Sequence, residues 1–229
     1  METDLRHRSL RLASHLFTAS VHWLRWSIAS LIVLTVVADL WFLDVQPEGW
    51  WAVTISILMW FVAVGAGVKL HSDLSVQLAR GVTRREYTLG FAVFGVWTAI
   101  AMALLAAVGF LGEHALLSAG GSAEGTWGGA LAQGARYLVV TPIYFFAGTA
   151  IGAVGTRFGG NPAAAAAALI VPAGAVYAGT LTIEFFELTV DTDRWSVAVW
   201  ASGSAALVAI LIAAYSLTLR TIPVRTGAG

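Results

Sequence analysis

The chain has 229 residues, 58% of them hydrophobic and 11% charged, with a mean hydropathy of +0.78. Soluble domains carry about 25% charged residues, so the composition excludes an ordinary water-soluble globule and indicates an integral membrane protein. Formal net charge is zero and cysteine is absent, which excludes disulfides, a thiolate nucleophile and a cysteine-based metal site.

Residues 1–27 are too polar for too long to read as a cleavable signal peptide, and no small-residue cleavage site follows an apolar core. Leu10, Leu12, Leu16, Phe17, Val21 and Leu24 share one side of a helix, with Arg6, Arg8, Arg11 and Arg25 interspersed. This predicts an amphipathic helix over 1–25 lying in the cytoplasmic interface. A basic leader before the first span is the alternative.

A membrane span needs about 20 predominantly apolar residues. The first is expected over 26–43, with Asp39 one turn from its outer end, within reach of headgroups or water. Asp44 to Gly49 reads as a short acidic turn with Pro47 and Gly49. Trp50 and Trp51 then open a second span over 51–70, and the tryptophans at both ends of the turn, Trp41 included, read as an interfacial aromatic belt. Gly65 and Gly67 near its inner end allow close helix packing.

The longest polar interruption between apolar runs is HSDLSVQLARGVTRREYTLG, His71 to Gly90. Leu74, Leu78 and Val82 recur at a spacing of four, and Arg80, Arg84 and Arg85 cluster there with Lys69 just upstream. A short amphipathic helix rich in arginine between two spans belongs on the cytoplasmic side, where another protein can grip it.

This stretch resembles the segment between the second and third spans of ABC-2-type ABC transporter permeases. In that family a short cytoplasmic helix ends in a Gly-x-(Ser/Thr)-Arg-Arg-x-aromatic run and enters the third span with a glycine. Gly81, Thr83, Arg84, Arg85, Tyr87 and Gly90 fill those places here. The resemblance implies a six-span subunit that pairs with a second permease subunit, identical or related, and carries two separate ABC ATPase subunits on its cytoplasmic side. It implies coupling to the ATPase through Leu74, Leu78, Arg80, Gly81, Thr83, Arg84 and Arg85. ATP and Mg would sit in the partner.

The third span is expected over 88–111, followed by a Gly-, Ala- and Ser-rich external loop from Gly112 to Arg136, partly ordered and briefly helical. Glu113 and His114 are adjacent, which makes no metal site, and are expected to be solvated. The fourth span, 137–154, has Pro142 in its first turns and Gly148, Gly152 and Gly155 at small-residue spacings suited to tight packing. Gly155 to Pro162 is a cytoplasmic turn, and its Gly159-Gly160 pair lacks the Lys-Ser/Thr element of a phosphate loop. The fifth span, 163–181, opens on six alanines and carries Pro172, a packing adjustment or a gating bend. Thr182 to Arg194 mixes acidic and apolar residues, suiting a short interfacial helix; the permease resemblance implies a re-entrant element there. The sixth span is expected over 195–217, and 220–229 is a short basic tail.

With both termini inside, the cytoplasmic parts hold Arg6, Arg8, Arg11, Arg25, Lys69, Arg80, Arg84, Arg85, Arg157, Arg220 and Arg225, against Arg136 and Arg194 outside, 11 against 2. The positive-inside rule favours this orientation in the plasma membrane. The expected architecture is therefore all-α and polytopic, with six transmembrane helices, an N-terminal interfacial helix and a short cytoplasmic coupling helix.

The leading functional reading is an ABC transporter permease subunit that exports an apolar or amphipathic compound such as a drug, peptide or lipid. Phe42, Trp60 and Tyr177 are candidates to line a pathway between two subunits. The chain itself is expected to bind no cofactor or metal and to have no catalytic residues; lipid is a partner and nucleic acid is not. The alternative is a secondary transporter or channel, disfavoured by span interiors holding little beyond Asp39, Tyr144, Tyr177 and scattered Ser and Thr. An intramembrane enzyme lacks a ligand cluster, since most of the five histidines fall in the leader.

Overall fold

In lipid every backbone N–H and C=O must be satisfied within the chain, so apolar runs with few breakers become helices. The computed structural model describes residues 2–41, 50–121, 125–158, 161–170, 173–174, 177–178, 181 and 194–221, and every regular element among them is helical. These are α1 (Glu2–Trp41), α2 (Trp51–Ala79), α3 (Arg84–Ala119), α4 (Trp127–Ala135), α5 (Tyr137–Phe158), α6 (residues 162–170) and α7 (Arg194–Thr221).

Among the described residues four helical stretches are long and apolar enough to cross a membrane: Trp51–Ala79, Arg84–Ala119, Trp127–Phe158 and Val197–Arg220. A fifth is gained if the bent pair Arg8–His22 and Leu24–Ala38, inclined by 48°, is one span. The chain is a multi-pass membrane protein. The helices overrun the apolar cores of the expected spans. α3 runs to Ala119 and α4 follows from Trp127, so most of the external loop expected over Gly112 to Arg136 is helical. The loop at 44–49, the Pro172 bend, the segment 182–193 and the tail from 222 lie outside the described residues, as does the side chain of Asp39.

α2 and α5 form the most extensive pair and run parallel. Their crossing is made by small residues: a Cβ on Gly148 would run into the Ala63 carbonyl, and one on Gly152 into the Gly67 carbonyl. A Cβ on Gly67 would stand 2.7 Å from the Gly148 carbonyl oxygen. Two backbones this close gain dispersion along their whole contact, which replaces the hydrophobic drive that lipid cannot supply. Gly65 and Gly155, of the same predicted sets, face open space.

α3 packs antiparallel on α5 through aromatic rings. Phe91 lies 5.5 Å from both Phe94 and Phe145 and 6.2 Å from Tyr215 of α7, while Tyr87 stacks on Phe91 at 5.6 Å. The first half of α1 lies on α3, with Ser9, Ala13 and Leu16 buried and Phe17 edge-on to Phe94 and Trp97. Leu10 and Val21, expected on its apolar side, are exposed; the buried stripe is rotated toward the small residues Ser9 and Ala13. They let α1 approach Gly90, where a Cβ would stand 2.8 Å from Leu12.

Trp51 departs from the aromatic belt expected of it. It is buried, its ring covers Gly109, its Nε1 donates to the Ala106 carbonyl at 3.2 Å, and its backbone N–H donates to Glu113 Oε1 at 2.8 Å. Glu113 is thus buried against α2, not solvated, because α3 continues past Leu111 and turns it inward.

Candidate functional site

These packings divide the bundle into two ends. One end gathers the start of α1, the end of α2, the start of α3, the end of α5 and the end of α7. It carries Arg8, Arg11, Lys69, Arg80, Arg84, Arg85, Arg157 and Arg220. The turn joining α2 to α3 is its centre.

No separate short helix exists over Leu74 to Arg85. α2 runs unbroken to Ala79, since nothing between Val68 and Ala79 breaks a helix, and the chain turns at Arg80 to Thr83. Gly81 adopts φ +83, its N–H donates to the Leu78 carbonyl at 3.0 Å, and the Val82 N–H donates to the Gln77 carbonyl at 3.1 Å. This is a Schellman ending, which satisfies the last carbonyls of α2 and requires a left-handed residue at Gly81.

α3 starts one residue later on a capping box. Thr83 Oγ1 accepts from the Glu86 N–H at 3.2 Å, and Glu86 Oε2 accepts from the Thr83 N–H at 2.8 Å and its hydroxyl at 2.9 Å. Orphan donors at both ends of the cap are satisfied reciprocally. Glu86 Oε1 also lies 3.7 Å from Arg8 Nη1 of α1. Arg84 Nη1 donates to the Leu219 carbonyl at 3.1 Å and the Arg220 carbonyl at 2.8 Å, a cation closing the C-terminus of α7. On the other flank His71 Nδ1 and Thr156 Oγ1 lie 3.0 Å apart, joining the ends of α2 and α5.

Most residues of the resemblance therefore have work inside the chain. Leu74 is buried in the core and Leu78 packs against it. Gly81, Thr83 and Arg84 build the turn; Tyr87 is fully buried and Gly90 receives α1. Arg80 and Arg85 are exposed at the tip.

The proposed pathway residues are not brought together with the turn. Trp60 is half-exposed and edge-on to Tyr144 at 5.9 Å, on the outer side of the α2–α5 pair. Tyr177 is exposed, and Phe42 lies outside the described residues. Among the described residues no group of three or more His, Asp or Glu side chains could hold a metal. Sequence reasoning missed Glu86 and the placement of Arg8, Arg11 and His15 across a cleft from the turn. The T-x-x-E spacing of Thr83 and Glu86 was the available signal for the first; nothing local signals the second.

Comparison with protein-family models, curated proteins and solved structures finds no match.

Proposed function

We propose that this chain is the membrane-spanning subunit of an ABC transporter of the ABC-2 type, with six spans and both termini on the cytoplasmic side of the plasma membrane. It exports an apolar or amphipathic compound through a pathway formed with a second permease subunit. Separate ATPase subunits bind the basic end and hydrolyse ATP with Mg.

One observation carries the reading. The α2–α3 turn is tied to α7 by Arg84 and joins two spans, and it still holds Arg80 and Arg85 out to solvent. A partner that pulled on the turn would displace α2, α3 and α7 together. Leu74 and Leu78 support the turn from beneath, and the arginines provide the docking charges. Closure of the ATPase pair on nucleotide shifts the bundle only as far as the two states differ in affinity for it. A groove along α1 formed by Trp26, Ala29, Val33, Leu34 and Val37 supplies an apolar face for the second subunit.

The neighbouring reading frames should encode a small ATPase, and the test is its co-purification with this chain. Arg80→Glu with Arg85→Glu should weaken co-purification by about tenfold or more, because like charges would then face the partner. Insertion and thermal stability should persist, since neither side chain is packed. Arg225→Glu in the tail should change nothing. Unchanged co-purification and unchanged ATPase turnover in the double variant would sink the reading.

A further inference from the structure

An open cleft of about 540 Å³ separates the start of α1 from the α2–α3 turn. Arg8, Arg11 and His15 line one wall and Gln77, Arg80 and Glu86 the other. Three guanidinium groups thus face one carboxylate. That carboxylate is already engaged by the N–H and hydroxyl of Thr83 and stands 3.7 Å from Arg8. The cleft keeps an excess of positive charge, three against one, before His15 is counted.

We propose that this cleft binds a phosphate group, and that its source is the headgroup of an anionic phospholipid. Guanidinium groups match phosphate oxygens in planar, paired geometry and shed their hydration more readily than ammonium groups. Basic pockets between the ends of membrane-crossing helices hold such headgroups. Position selects the lipid. The cleft lies where α2 ends and α3 begins, both long and apolar enough to cross the bilayer, which puts it at headgroup depth. Leu12 on one wall and Val82 on the other line the same cleft, giving acyl chains an apolar surface beside the charge. The bound headgroup would bridge α1 to the turn and offset the repulsion among the arginines. None of this depends on an ATPase partner.

The test is native mass spectrometry of the full chain in neutral detergent, offered phosphatidylglycerol and phosphatidylcholine in equal amounts. The wild type should retain phosphatidylglycerol preferentially. Arg11→Gln with Arg80→Gln should lower that affinity about thirtyfold, the equivalent of about 1 kcal/mol for each arginine. Arg11→Lys with Arg80→Lys should keep most of it, which separates lost charge from lost fold. Arg25→Gln with Arg157→Gln removes equal charge elsewhere and should leave the preference intact. Excess glycerol phosphate should fail to displace the lipid; displacement at matched concentration would overturn the lipid as source while keeping the phosphate site. Equal retention of both lipids by the wild type, or equal losses in the two Gln pairs, would overturn the site.

Discussion

The turn at Gly81 shows how one residue sets the direction of two spans. With φ at +83, any side chain there meets its own backbone, although no neighbouring atom stands within 4 Å. Gly81→Ala should therefore destabilise by about 1–2 kcal/mol through backbone strain alone. Thr83→Ala removes the acceptor for the Glu86 N–H and should cost about 1 kcal/mol. Thermal unfolding in detergent checks both, and Val82→Ala, which leaves the turn geometry intact, serves as the comparison. Equal midpoints for Gly81→Ala and wild type would show that the left-handed turn is dispensable.

At the scale of elements, the α2–α5 crossing is the most demanding contact. Gly148 lies against the Ala63 carbonyl, and backbone cannot step aside as a flexible side chain can. Gly148→Ala should force the helices apart and destabilise by about 3 kcal/mol or more, at the upper end of overpacking costs. Gly155→Ala, on the same helix with open space around it, should be neutral or stabilise by roughly 0.5–1 kcal/mol. The ratio of folded to aggregated protein on size exclusion, with the thermal midpoint, distinguishes the two. This contact was half legible in the sequence: the spacing of Gly148 and Gly152 indicated a tight crossing. It did not indicate that Gly67 and Ala63 are the partners while Gly65 is not, because that depends on helix rotation. The apolar runs likewise located the membrane helices. They left their ends open, because a helix continues past its apolar run wherever no residue stops it, as from Lys69 to Ala79. Trp51 and Glu113 were misplaced for a related reason. Tryptophan near a span end suggests an interface, whereas its burial follows from Gly109 on a helix 58 positions away.

For the whole molecule, the folded arrangement groups cations that are scattered along the sequence. Among the described residues, eight Lys and Arg side chains fall at the end that holds the α2–α3 turn, and Arg136 is buried near the other. Under the positive-inside rule this grouping supports the proposed placement of the turn on the cytoplasmic side. The absence of cysteine makes the check direct: Arg80→Cys would be the sole thiol in the chain. In sealed cells it should resist an impermeant maleimide and react only after permeabilisation. Labelling in intact cells would reverse the proposed topology and remove the ATPase from its docking site.

The clamp of Arg84 on α7 also has a history. A chain delivered to the membrane from its N-terminus makes the α2–α3 turn early, whereas Leu219, whose carbonyl Arg84 grips, follows 135 residues later. At roughly 5–20 residues per second this interval lasts on the order of 10 s. During it the Schellman ending and the capping box can form from local residues, but the two carbonyls that complete the turn have not been synthesised. The nascent protein therefore passes through a stage in which its basic tip is shaped but unlatched. Arrival of the last helix closes it, so the same arginine reports that synthesis has reached α7.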